Sequence, residues 1–478
     1  MKTPAIQKAF VLLSCTFLGL ICGTLYLYSS YSPQFAEHLK YSVTDASSIA
    51  LLGTVGVALA GPIAGFFVDR TGYTISLLIG GLSVIVGYLG MKIQYDMLYS
   101  SKFTSMILVF TIGCGSTFIN SVCMKCCAVC FPSLRGVATS LPLALYGLSA
   151  MFYSVIASVF YPGDTSGFLG FLGYSSIVLL AIFSPSIILC DREHKVRRAV
   201  ISEHKNDSKE ANSISLIPTL SNYKHSSNKY SVNNPEVNIS GLELLYSLKF
   251  WLLFLSTGFL AAIGQMYIYS VGYMVKALLT NQINVSEVPL EKLEELIQQD
   301  QQMQVSLISI ANCIGRITAG VSGDIIVQSF HKSRNLLLYV PGIGFLLTQI
   351  ILLNLSDHTI LTFISLSTGF FYGFTFCIMP IIVGDSFGME SYSYNWGIVA
   401  LAPVFPSFYL TSLFGKFYDS NSIMEPNSNI ATCALGRYCY NSIFRFTIAL
   451  SLFICIIITV LTGKSYQNTN RAYFRYSL

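Results

Sequence analysis

The chain has 478 residues, of which 53% are apolar and only 11% charged, with a formal charge of +5. An ordinary soluble domain is about 25% charged, so this composition excludes a water-solvated surface of the usual kind. The small positive excess is scattered through loops, which argues against a nucleic-acid partner.

Runs of 18 or more mostly apolar residues predict membrane-spanning helices. Twelve occur, at about 9–31, 47–68, 73–94, 104–125, 137–160, 168–190, 251–275, 303–324, 335–354, 359–383, 396–415 and 443–462. Helix is the expected form, because lipid cannot satisfy an open sheet edge and the alternation of a barrel is missing. The first run follows Lys2 and Lys8, is too long for a signal peptide and lacks a small-residue cleavage site; it reads as a span.

Residues 1–190 hold the first six spans. Between spans 2 and 3 stands Gly65-Phe66-Phe67-Val68-Asp69-Arg70-Thr71-Gly72. Gly65 permits close helix approach and Gly72 a tight turn, while Asp69 can accept from a neighbouring helix N-terminus or arginine and so latch one conformation, with Arg70 expected as part of the latch. In span 4, Asn120 is the main polar side chain before Lys125. Cys123, Cys126, Cys127 and Cys130 have metal-like spacing, yet crowd into eight residues at a helix end. Apolar packing, and after it palmitoylation, explain them better than a zinc knuckle. Residues 191–240 are rich in Ser, Asn and Lys without a long apolar run, and read as a flexible cytosolic linker.

Residues 241–478 hold the second six spans, with Gln265 and Tyr267 in span 7. In the next loop Leu290, Leu293, Leu296 and Ile297 form a stripe among acids, expected as a short interfacial helix. Span 8 carries Arg316 at its middle. A charge at bilayer depth costs roughly 2.5–3.5 kcal/mol, so Arg316 is expected to face a watery cavity or a partner. Its planar fork suits a carboxylate or other small anion, and Asn312 lies one turn earlier on the same face. The competing reading is a structural arginine bonded to carbonyls of a neighbouring helix. Gly320 and Asp324 follow at four and eight residues, echoing Gly61, Gly65 and Asp69; the repeat points to two related halves. Asn395 opens span 11 and could add a donor. Cys433 and Cys439 fall in an outer loop where a disulfide is reasonable. Asn284 and Asn354 head glycosylation triplets in outer loops, although similar triplets occur by chance in the linker. Lys and Arg favour the face shared by both termini, chiefly through the linker, so both termini are expected in the cytosol.

The loop motif at 65–72 resembles that of the major facilitator superfamily. Gly264 to Gly272, Val305 to Gly320, Tyr394-Asn395-Trp396-Gly397 and Cys433 to Tyr440 resemble its nodulin-like branch, which includes fungal monocarboxylate transporter homologues. The resemblance implies an all-α membrane protein of two pseudo-symmetric six-helix bundles. It implies a monomeric transporter, in a vacuolar or plasma membrane, moving a small polar or anionic metabolite by alternating access. Departures accompany it. Asn312 stands where monocarboxylate transporters carry an aspartate, proton-coupled relatives often carry an arginine in span 4 where Asn120 is here the main polar side chain, and span 1 lacks a charge. Tyr73 and Thr74 replace the loop motif's last basic residues. These departures leave a second reading open, a sensor with the transporter fold and no net transport. No nucleophile elbow, P-loop, metal helix motif or dinucleotide fingerprint appears, so neither an enzyme nor a cofactor is expected.

Overall fold

The computed structural model describes residues 5–41, 43–161, 163–214, 239–282, 290–355, 358–424, 431–433 and 435–476. The first bundle consists of α1 (Ala5–Cys22), α2 (Tyr28–His38), α3 (Val43–Thr71), α4 (Tyr73–Asp96), α5 (Lys102–Cys130), α6 (Arg135–Phe160) and α7 (Thr165–Ile214). A short α8 (Leu242–Leu245) leads into the second bundle: α9 (Leu248–Gln282), α10 (Leu290–Gln328), α11 (Tyr339–Leu353), α12 (His358–Phe387), α13 (Tyr392–Val399), α14 (Val404–Ser420) and α15 (Asn441–Tyr476). Among the described residues eleven stretches are long and apolar enough to cross a bilayer, α13 and α14 counting as one, and Ile6–Cys22 is a shorter apolar helix. Each bundle has its own core, with Phe35, Tyr88 and Tyr153 in the first and Tyr267, Phe345 and Phe374 in the second. Large side chains such as Leu78, Leu82, Phe363 and Ile456 point outward. In water such a surface would aggregate; in lipid it is the solvated one.

Three elements depart from the sequence expectation. The run at 9–31 is not one helix: it breaks at Gly23 into a 3₁₀ turn, Thr24–Leu27. A Cβ on Gly23 would lie 2.2 Å from the Tyr146 carbonyl oxygen, so this glycine lets span 1 press on α6. Residues 191–214, expected as linker, continue α7 as helix. Neither Gly nor Pro occurs between Pro185 and Pro218 to stop it. Asp191 is buried, pairs with Lys195 at 2.8 Å and accepts from the Thr74 hydroxyl at 3.1 Å. The rest of the expected linker, 215–238, lies outside the described residues. The stripe at Leu290–Ile297 is the first part of α10 rather than a separate helix. At 39 residues α10 is about 58 Å long, nearly twice the roughly 30 Å hydrocarbon core.

The turns after α3, α5, α10 and α12 share one end of the molecule, called here the motif face. The opposite end is the far face, where Cys433 and Cys439 are joined in a disulfide. Asn354 caps α11 at that end, while Asn284 lies outside the described residues.

Candidate transport site and its closing contacts

The two bundles meet along two seams, α3 against α13 and α6 against α10. Small residues set the approach. A Cβ on Gly65 would lie 2.2 Å from the Ser393 carbonyl oxygen, and one on Gly136 would lie 2.2 Å from the Gly320 carbonyl oxygen. Both pairs sit near the motif face, so the backbones touch there only because side chains are absent.

Each seam ends in a carboxylate that crosses to the other bundle. Asp69 accepts from the backbone N–H groups of Ser393 and Tyr394, at 3.3 and 2.8 Å. Asp324 accepts from those of Gly136 and Val137, at 2.9 and 2.8 Å. In both cases the donors are the second and third residues of the opposing helix, α13 or α6. Neither helix has a side-chain bond from its own cap residue, Leu134 or Ser391. A helix leaves its first N–H groups without partners and carries partial positive charge there. The two aspartates therefore act as caps supplied in trans, and they do so reciprocally: first bundle to second, and second to first.

Cations hold the carboxylates in place. Lys125 pairs with Asp69 and donates to the Glu390 carbonyl at 3.0 Å. Arg334 donates to Asp324 at 2.9 Å and pairs with Asp385, which Arg135 of the opposing bundle approaches at 3.5 Å. Lys125, Arg334, Asp385 and Arg135 were not assigned to this role from sequence. The usable signal was Lys125 and Asp385, each a lone charge at the end of an apolar run. Gly72, at φ +93°, makes the turn that the motif requires. Arg70 departs from expectation: it is exposed and lies over the Phe66 ring at 4.9 Å, outside the carboxylate contacts. Lys125 of α5 takes the ion pair with Asp69 instead.

Lys125→Met should destabilise the protein by roughly 3–5 kcal/mol, because it strands a buried carboxylate. Adding Asp69→Asn should recover part of that loss. Thermal unfolding of the two single variants and the double variant in detergent measures the coupling; strictly additive losses would contradict the pairing.

Further from the motif face, Arg316 lies in the α6–α10 seam with 4% of its surface exposed. Its Nε donates to Asn312 Oδ1 at 2.7 Å and its Nη1 to the Leu143 carbonyl at 2.6 Å. Its guanidinium carbon stands 5.3 Å from the Tyr146 ring centre. Nη2 has no protein acceptor among the described residues. Asn312, 8% exposed, is the one other expected solute contact that joins this cluster.

The remaining expected contacts lie outside this cluster. Tyr267 is fully buried and shares a 2.7 Å hydrogen bond with Ser365 inside the second bundle, where packing rather than a cavity surrounds it. Gln265 donates to the exposed Tyr269 hydroxyl at 3.2 Å. Asn395 donates to the Ile239 carbonyl at 2.9 Å, tying down the chain that enters the second bundle. Asn120 is half-buried on α5 with no side-chain hydrogen bond among the described residues. A groove of about 280 Å³ lies between α10 and α12, lined by Ala311, Ile314, Leu366 and Phe370. Ile314 is two residues from Arg316, about 200° round the helix, so this apolar groove faces away from the arginine.

The description of the Major Facilitator Superfamily matches residues 12–408, and the chain belongs to that family. It is 27% identical to the uncharacterized membrane protein YMR155W of Saccharomyces cerevisiae, over 96% of this chain and 95% of that one. It is 24% identical to the probable transporter MCH1 of Wickerhamomyces anomalus, over 91% and 85%. In structure it is similar to the proton:xylose symporter XylE, with a TM-score of 0.62 at 12% identity, over 95% of this chain and 97% of that one. The E. coli fucose:proton symporter FucP gives 0.57 at 14%, over 94% and 98%. At these identities the two structures speak for the fold alone. The protein is thus a multi-pass membrane transporter and not an enzyme, of a family that carries small-molecule solutes across membranes.

Proposed function

We propose that this transporter moves a small polar or anionic metabolite, a carboxylate first among them, by rocking its bundles about the two seams. The observation that supports this reading is the state of Arg316. Its Nη1 is spent on the Leu143 carbonyl across the seam, while Asn312 holds Nε and Nη2 has no protein acceptor among the described residues. When the bundles part, the Leu143 contact breaks. Nη1 and Nη2 then form a two-pronged donor edge, oriented from behind by Asn312, which matches a carboxylate. The reciprocal caps of Asp69 and Asp324 hold the motif face shut, and their release opens it. The basic-residue bias supports a cytosolic motif face, in a monomer of the vacuolar or plasma membrane.

The test is counterflow in liposomes made with the purified protein, using organic acids, amino acids and their amide isosteres. Saturable exchange of an acid and not of its amide is the expected result. Equal exchange of both removes the anionic assignment, and saturable binding without flux makes the protein a sensor.

A further inference from the structure

We propose that the first bundle binds one soft, thiophilic metal ion, of the monovalent copper kind, between Cys126, Cys130 and Cys190. Cys126 and Cys130 are four residues apart on α5, hence on one face; Cys190 comes from α7. Their three sulfur atoms all lie within 4.8 Å of one another, and Cys130 and Cys190 approach to 3.1 Å. Sulfurs about 2.3 Å from a shared metal stand about 4 Å apart, so small side-chain shifts suffice to close the site. The donor set is wholly sulfur, which selects soft ions over hard ones. A wider layer of sulfur surrounds it: Cys15 of α1 neighbours Cys123, Cys126 and Cys127.

The position also favours a cation. Cys130 is the last residue of α5, where the helix dipole presents its negative end. Cys190 is followed at once by Asp191 and Arg192, so the site lies at the motif-face boundary and not in mid-bilayer. The cost of charged thiolates is lower there, and protons released on binding can reach water. Packing alone explains a buried thiol such as Cys377 in the second bundle. It gives no reason for three sulfurs to converge from two helices.

The experiment uses the full chain, purified without oxygen and titrated with copper(I) against a chromogenic chelator. One equivalent should be retained, and X-ray absorption should show a sulfur-only shell of three neighbours. Cys190→Ser and Cys126→Ser should each weaken retention at least tenfold, and Cys377→Ser should not change it. No retained copper in the unaltered protein, a shell of oxygen or nitrogen, or retention untouched by both variants would overturn the proposal. So would recovery of Cys130 and Cys190 as a disulfide from the reduced, anaerobic preparation. None of these readouts depends on transport, so the metal site and the solute assignment stand or fall separately.

Discussion

Arg316→Gln is expected to lower saturable solute exchange at least tenfold while the amount of protein in the membrane stays near normal. A hydrogen bond to a charged group contributes about 1.5–3 kcal/mol, and 1.4 kcal/mol is a factor of about ten. Losing the two-pronged edge removes one or two such bonds to a carboxylate. The fold should survive, because the aspartate caps and the close backbone approaches still hold the two seams. Arg316→Lys separates charge from geometry. Lysine keeps the charge but not the planar fork, so it should recover part of the binding and little of the selectivity for carboxylates over other anions. Unchanged exchange in Arg316→Gln would return this residue to the purely structural role that its contact with α6 also allows.

The second large effect concerns the paired caps. Replacing both Asp69 and Asp324 by asparagine should shift the bundles away from the arrangement closed at the motif face. Asparagine keeps one acceptor oxygen where each aspartate uses two, so each change forfeits one hydrogen bond, about 1 kcal/mol net, and the interaction of the negative charge with the helix dipole, about 0.3–1 kcal/mol. Two such losses total roughly 2.6–4 kcal/mol, about a 70- to 700-fold change in the closed-to-open ratio. Asp324→Asn is the cleaner single change, because Arg334 keeps Asp385 as a partner. Asp69→Asn also removes the carboxylate that pairs with the buried Lys125. Its effect should therefore be the larger of the two. The readout is the rate at which thiols placed in the motif-face half of the seams react with a membrane-impermeant reagent.

The spans were legible because lipid demands long apolar helices, and the repeat was legible because Gly65, Asp69, Gly320 and Asp324 keep the same four-residue step. That step proved to be a seam: the glycine lets backbones touch and the aspartate, one turn on, reaches the next helix. The target of each aspartate was not legible. It lies more than 180 residues away in the chain, at a helix start whose own cap residue makes no side-chain bond. Arg316 and Asn312 were legible as a pair because one helical turn joins them. Tyr267 and Asn395 misled because a polar side chain in a span can face a cavity or a neighbouring helix with the same local sequence. The break at Gly23 was hidden inside an unbroken apolar run, and only its contact with α6 explains it. Asp191 looked like the start of a linker, yet its carboxylate completes the turn at Gly72 by receiving the Thr74 hydroxyl.

The most direct test of the account is a distance measured across the motif face by paired spin labels at Ser133 and Gln328. These exposed positions lie on opposite bundles, where the Gln328 side chain reaches the Ser133 carbonyl. A single short distance is predicted for the unaltered protein. A longer population should emerge when Asp69 and Asp324 are both asparagine, and grow when a transported acid is added. One short distance that persists through both changes would contradict the claim that these carboxylates hold shut a face which must open for transport.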